Sequence, residues 1–349
     1  MYGIEPAGFD PAAFDLSDGS PRQPAHWVFA KLFIGHDAEP PALRAERADR
    51  LLCRHIAPLF EQWGAQGLCC FFIRYHEHGY HLRLRVHAAD DSVREQARQV
   101  LHQCLDRLAL AGTTWQASTY APELEKYGGP LGNHWAEQHF QASSTLVLTL
   151  LRRVAALPPD ERAALRSQLA LVLMHATLFG AGLGEQETAG LCRGYYRYWW
   201  RDASGAGAPA DALEPVYQRQ RALLRQCLGR GGAQDAARSA WAAQHGDWQD
   251  LLAGWSEQVH RDVAALSALE RTGRLLVPDW LPNVGPEELG ALAERRCTLL
   301  AILPNYLHML NNRLGVNVGN EGRLAYCLMR HLEDHGRLRA RPLGLLLQP

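Results

Sequence analysis

Lysine is nearly missing from this 349-residue chain: only Lys31 and Lys126 occur among its 36 Lys and Arg residues. The arginine excess reads as a composition bias and carries no functional meaning alone. An excess of one charge is missing too. The 36 basic residues meet 37 acidic ones for a formal net charge of −1, so no global basic field is available to hold a nucleic-acid backbone. No charged n-region followed by a short apolar stretch follows Met1, so no secretory signal is expected and a cytoplasmic location is. No apolar run reaches the roughly 20 residues of a membrane span. The longest, from Leu169 to about Leu183, is interrupted by His175 and reads as a buried helix. The eight cysteines form no C-x-x-C pair and have no histidines at finger spacing, which points to free thiols rather than to a disulfide framework or a zinc site. The G-x-x-x-x-G-K-[ST], G-x-G-x-x-G and G-x-S-x-G patterns are also missing, so nucleotide-binding and serine-hydrolase chemistry lose support. A hydrophobic fraction of 47% remains, enough for the core of a globular protein.

Residues 1 to 25 are rich in Pro, Gly and Asp without apolar period, and read as a loosely ordered arm. From 26 to about 130 the periodicity alternates between strand and helix. His26 to Ile34 places Val28, Ala30, Leu32 and Ile34 on one strand face. Leu52, Ile56, Leu59 and Trp63 form one stripe of a helix from about Leu43 to Trp63. Cys69–Tyr75 and His81–His87 read as a hairpin turned at His78-Gly79. Ser92-x-x-Glu95 has the form of a capping box before a helical stripe ending at Leu108, and Thr113 to Tyr120 reads as a fourth strand.

The order β-α-β-β-α-β predicts an α+β, ferredoxin-like antiparallel sheet with both helices on one face. Beyond Gly129 the patterns are helical: about Asn133–Ala156, Pro159–Leu183, Asp211–Leu228, Ala236–Leu269, Pro286–Leu314 and Glu321–His335. They are expected to cover the open sheet face as a second, helical part (131–349) of a single domain spanning 26–349. Gly205 to Pro209, then Gly231-Gly232, read as flexible loops.

Three groups of residues stand out chemically. In the third strand Leu82, Leu84 and Val86 point to the helices, so His81, Arg83, Arg85 and His87 point to the open face. Two arginines at alternate strand positions suit a carboxylate or phosphate, or ion pairs to the helical layer. The stretch from Tyr120 to Gly129 turns at its paired glycines and sets Glu123, Glu125 and Lys126 beside the sheet edge, where Glu123 and Lys126 equally fit a local salt bridge. Near the C-terminus, Leu303, Leu307, Leu310 and Leu314 form an apolar stripe, with Asn305, His308 and Asn312 opposite. That side suits a solvated face or an acid/base histidine. His76 and His78 lack a third ligand nearby and are not read as a metal site, and the aromatic run Tyr195 to Trp200 reads as packing.

Taken in order, several motifs resemble the elimination domain of class I lantibiotic dehydratases, which also occurs alone in thiopeptide pathways. They are His26-Trp27 through Lys31, Phe72-Ile-Arg74-Tyr75 with His81-Leu-Arg83-Leu-Arg85, Glu123 to Gly129, Glu137-x-x-Phe140, and His308-Met-Leu-Asn-Asn312-Arg313-Leu. The similarity covers roughly residues 26 to 335, and the large glutamylation domain of the full-length dehydratases is not in this sequence. The resemblance implies removal of glutamate from glutamylated Ser or Thr of a ribosomal precursor peptide, leaving dehydroalanine or dehydrobutyrine. It implies a catalytic set of His308, Arg83, Arg85, Glu123 and Lys126, with Arg74, His81, Asn312 and Arg313 as substrate-binding residues.

In this resemblance Arg83 and Arg85 would hold the glutamyl carboxylates or the developing charge, Glu123 would orient an arginine or the substrate, and His308 would transfer a proton. No metal and no organic cofactor is implied. The implied partners are the precursor peptide with its leader and a separate tRNA-dependent glutamylation protein; no direct nucleic acid or membrane contact is expected, and a homodimer is compatible. Two positions depart from the family's pattern: Lys126 stands where arginine is usual, keeping the charge but losing the planar fork, and Ser143-Ser144 where Asp-Ser is usual. The pyridine synthases of thiopeptide pathways resemble the same domain and join two dehydroalanines in a formal [4+2] cycloaddition with release of the leader. An inactive adaptor that only holds a leader peptide is the third reading.

Overall fold

The apolar alternation of the N-terminal third is realised as four strands in a computed structural model that describes residues 22–35, 39–110, 112–199, 210–228, 248–276 and 297–335. They are β1 (Trp27–Phe33), β2 (Cys69–His76), β3 (Tyr80–His87) and β4 (Thr114–Ser118), in one antiparallel sheet of order β2-β3-β1-β4. Between β1 and β2 run α1 (Pro41–Leu51), a π-helical turn at Leu52–Ile56, and α2 (Ala57–Ala65); α3 (Asp91–Ala109) joins β3 to β4. The first helix therefore begins earlier than its apolar stripe and widens by a π turn at its middle. The cap of α3 is also shifted from the expected one. Asp90, not Ser92, is the N-cap, accepting from Val93 N at 2.9 Å, while Ser92 Oγ donates to Asp90 Oδ1 at 2.6 Å. From its place just outside the helix, the Asp90 carboxylate reaches the third amide of the first turn.

Pairing of Ala30 with Leu84 and Leu32 with Leu82 puts these fully buried side chains on one sheet face. Each of the three leucines contributes about 1.5–3 kcal/mol by leaving water. Trp115 bonds Asp106 of α3 and Arg74 bonds Asp49 of α1, so the helices α1 to α3 cover this face.

The rest of the described chain is helical: α4 (Gly129–Ala155), α5 (Pro159–Gly180), α6 (Glu185–Trp199), α7 (Ala210–Leu228), α8 (Trp248–Arg271), α9 (Cys297–Leu314) and α10 (Val318–His335). The architecture is thus α+β and mostly helical. The expected helix residues 236–247 and 286–296, the arm up to residue 21, and both expected loops lie outside the described residues. Among the described helices α5 alone is long and apolar enough to cross a membrane, and 61% of its apolar window is buried inside the fold.

These helices do not lie over the whole second sheet face as expected; α4 and α9 pack at the edge of the sheet, on β2. Ser144 Oγ of α4 accepts from Phe72 N at 3.3 Å, and Asn312 of α9 accepts from Arg74 N at 2.9 Å and donates to Arg74 O at 2.8 Å. An edge strand carries a row of unpaired amides and carbonyls, and these side chains satisfy them as another strand would. Asp49 locks the same joint, pairing with Arg74 at 2.6 Å and with Arg166 of α5, which itself donates to Leu314 O at the end of α9. Gly315 closes α9 at φ 83°, and a Cβ there would lie 2.9 Å from the Arg166 guanidinium.

Candidate functional site

On the second sheet face, Arg85 pairs across the sheet with Phe29 and Phe71. Its guanidinium carbon lies 4.9 Å from the Phe29 ring, 5.3 Å from Phe71 and 4.7 Å from Tyr120. Arg85 is 7% exposed, its Nε has no hydrogen-bond partner, and it has no salt bridge among the described residues. Burial pulls its pKa down to about 10. Three aromatic faces hold the cation in place but do not neutralise it.

A second such cation faces Phe71 from α9. Arg313 is fully buried, its guanidinium carbon 4.6 Å from the Phe140 ring and 6.0 Å from Phe71. It donates to Ser144 Oγ at 3.1 Å and to Met309 O at 2.9 Å, but Nη2 has no partner. Burial is again the main cause of a pKa lowered to about 9, with the like charge of Arg85 adding to it. Ser144 thus bridges the β2 edge and Arg313.

Tyr120 links Arg85 to a buried carboxyl. Its hydroxyl donates to Glu137 Oε1 at 2.9 Å, and Glu137 also accepts from Asn133 at 2.9 Å and Arg22 at 3.2 Å. Burial raises the Glu137 pKa, with Arg22 opposing it. Burial, then the Glu137 charge, keep the Tyr120 phenol protonated by raising its pKa.

Arg83 occupies a different place from Arg85, toward the hairpin end. It stacks 3.4 Å over the Tyr75 ring, donates to Glu77 at 3.2 Å and points Nε at His81 Nε2 at 3.3 Å. His81 Nδ1 lies 2.9 Å from Gly79 O. A carbonyl only accepts, so Nδ1 carries the proton and Nε2 receives Arg83. Burial lowers the His81 pKa, consistent with the neutral ring. Two strand neighbours of one sequence pattern therefore divide into an uncompensated cation and a half-buried ion pair.

The Glu123–Lys126 turn is where one of the open alternatives is realised: Lys126 Nζ lies 2.5 Å from Glu123 Oε1, both side chains about half exposed. Gly128 and Gly129, at φ 82° and 85°, bend the chain into α4, which starts four residues earlier than its apolar pattern. Asn305 of α9 donates to Lys126 O at 3.2 Å, tying this turn to the helix that carries His308.

His308 is not in contact with the arginine pair. Five residues separate it from Arg313, about 140° around the helix axis, and its ring packs on Trp199 at 4.6 Å with Nδ1 at 3.1 Å from Glu321 Oε2. Arg74 and Asn312 form the β2 joint, with Arg74 Nε also donating to Arg313 O at 2.9 Å. Of the nine candidate side chains, the fold brings together Arg85 and Arg313 around Phe71, sets the Glu123–Lys126 turn beside α9, and uses Arg74 and Asn312 to hold α9 on the sheet.

Sequence reasoning missed Tyr120 and Glu137 as partners of the site, although both lie in motifs it marked. It read Glu321 only as the start of a helix and Tyr195 only as packing. They come from α10 and α6, at no helical or strand spacing from His308, so no local pattern signals them.

The model describing the C-terminal part of lantibiotic biosynthesis dehydratases matches residues 27–332. No curated protein matches the sequence. Among solved structures, the tRNA-dependent lantibiotic dehydratase MibB from Microbispora sp. 107891 superposes with a TM-score of 0.53 at 17% identity, over 90% of this chain and 29% of MibB. TsrL superposes at 0.59 with 21% identity, over 89% of this chain and 96% of TsrL. TbtD, a pyridine synthase from thiomuracin biosynthesis, superposes at 0.56 with 17% identity, over 88% and 98% of the two chains. The chain therefore spans under a third of MibB and nearly all of the other two, and at these identities the likeness is one of fold.

Proposed function

This chain belongs to the lantibiotic biosynthesis dehydratase C-terminal family, and from that premise we propose that it eliminates glutamate from glutamylated Ser or Thr of a ribosomally made precursor peptide. One observation carries the reading: Arg85 and Arg313 are buried side by side around Phe71, each with an unpartnered guanidinium nitrogen and neither with an acidic partner among the described residues. Two uncompensated buried cations are costly to the fold and repel each other. An anionic substrate group relieves both costs, and the free carboxylate of a glutamyl ester, joined by the second carboxylate that forms as glutamate departs, is such a group.

In this reaction a base takes the α-proton, the electron pair forms the Cα=Cβ bond, and the Cβ–O bond breaks as glutamate leaves as a carboxylate. The arginines hold the glutamyl group and its developing charge, and His308 serves the proton transfer. Substrate binding is then what brings the reacting carbon toward His308, since the free side chains are not in contact. Proton transfer and C–O cleavage call for no redox group. A separate tRNA-dependent protein supplies the glutamyl ester, and the peptide brings its own leader. For the fold we read the strand order β2-β3-β1-β4 as the ferredoxin-like arrangement.

One observation favours a second reading, the formal [4+2] cycloaddition of two dehydroalanines with release of the leader. Lys126, at the family's arginine position, spends its charge on Glu123 at the surface instead of adding to the arginine pair. Mass spectrometry separates the two. A glutamylated peptide incubated with the protein is expected to lose glutamic acid, whereas conversion of only a preformed dehydroalanine peptide, with its leader released, replaces elimination by cycloaddition. No change in either peptide supports the adaptor reading. Lys126→Arg is expected to raise the elimination rate; an unaltered rate makes that position neutral.

A further inference from the structure

We propose that Glu321 is the positioning residue for His308, completing a Tyr195–Glu321–His308 array that leaves His308 Nε2 as the proton-accepting nitrogen. The part concerning turnover rests on the elimination reading above; the part concerning the imidazole does not.

The array is built by chain reversal. After Gly315, Val316 N bonds back to Asn311 O at 2.9 Å, and Glu321 falls in the first turn of α10 beside His308 of α9. His308 Nδ1 lies 3.1 Å from Glu321 Oε2 and 3.2 Å from Oε1. A carboxylate accepts, so the proton sits on Nδ1 and the lone pair on Nε2. The Glu321 side chain is 1% exposed and, among the described residues, no lysine or arginine pairs with it.

A buried carboxylate without a lysine or arginine is an expensive choice for a merely structural contact. Behind an imidazole it favours the charge that appears when the ring takes a proton, and it holds the ring in one tautomer. Tyr195 of α6 supports the carboxylate from the other side by donating to Oε2. Burial, and then the Glu321 charge, hold the Tyr195 phenol well above its usual pKa, so it remains a donor. Trp199, one turn along α6, packs against the imidazole at 4.6 Å and an interplanar angle of 31°. Three helices thus fix the ring: α9 carries it, α10 sets its tautomer and α6 sets its plane. His308 itself keeps 23% side-chain exposure, so the ring is reachable while its orienting carboxylate is not.

The test begins with the full chain labelled with ¹⁵N-histidine. Among its 16 histidines, His308 is assigned by the resonance that His308→Gln removes. Long-range ¹H–¹⁵N correlation at a pH where the ring is neutral is expected to show His308 protonated on Nδ1 with Nε2 bare. In Glu321→Gln, whose amide donates as well as accepts, the tautomers are expected to mix or reverse. A wild-type ring protonated on Nε2 overturns the proposal and needs no variant, so a misfolded Glu321→Gln cannot shelter it. On a glutamylated peptide, Glu321→Gln is expected to lower kcat roughly 10²-fold with KM little changed. Unchanged kcat overturns the positioning role. If the wild type eliminates nothing, the elimination reading falls while the tautomer still decides the array.

Discussion

Asp49→Ala tests how the helical part is held on the sheet. Asp49 is 13% exposed at the side chain and neutralises Arg74 at 4% and Arg166 at 18%, and both arginines bond backbone carbonyls of α9. Removing the carboxylate leaves two neighbouring cations largely out of water, a loss of about 3–5 kcal/mol for a buried pair broken on one side. Unfolding entropy of ~2 cal/mol/K per residue gives roughly 0.7 kcal/mol/K over 349 residues, so the loss corresponds to about 4–7 °C in Tm. Differential scanning calorimetry measures it. Adding Arg166→Met is expected to restore part of the loss, because one stranded cation is then gone. An Asp49→Ala Tm within about 1 °C of wild type, or a double variant that is simply additive, refutes the clamp.

Arg85→Met replaces an uncompensated cation in an aromatic box by an apolar side chain of similar length, so stability is expected to rise by on the order of 1 kcal/mol, read as a higher Tm, while glutamate elimination is lost. A fall in Tm in the thermal scan means the ring contacts outweigh the buried charge. His87 is lowered to about 4 by burial, and next by the charges of Arg22, His26, His134 and Arg94. Its folded pKa lies below the unfolded value near 6.5, so its stabilisation is full above pH 6.5 and is lost as pH falls toward 4. His87→Gln is therefore expected to flatten the acid-side drop in Tm; curves of identical shape count against the assignment. In α4, a Cβ on Gly132 would fall 1.8 Å from Tyr127 O. Gly132→Ala is expected to cost on the order of 4 kcal/mol, visible as a lower Tm or lost soluble yield, and a near-native Tm shows that the turn has room to shift.

Much of the fold was legible because its signals are local. Strict alternation in His81–His87 already separated Leu82, Leu84 and Val86 from the charged positions, and cross-strand pairing in the structure follows that split. The leucine stripe of α9 was equally plain, and Leu303, Leu307, Leu310 and Leu314 are all buried. Boundaries were less legible where a cap or a glycine, and not periodicity, decides: α3 starts at the Asp90 cap and α4 at Gly129.

The site divides along the same line. Sequence alone determined which residue types were available and which face of each element they occupy, since the periods of strand and helix follow from backbone sterics. Only the tertiary structure decided that Arg85 lies uncompensated among three rings while Arg83, two residues away, reaches Glu77. It also decided that Arg74 and Asn312 serve a β-edge joint, and that Glu321 stands behind His308. The physical reason is that charge is balanced by whatever lies within a few ångströms, and for a buried group those neighbours arrive from other elements, at sequence separations that no local period records.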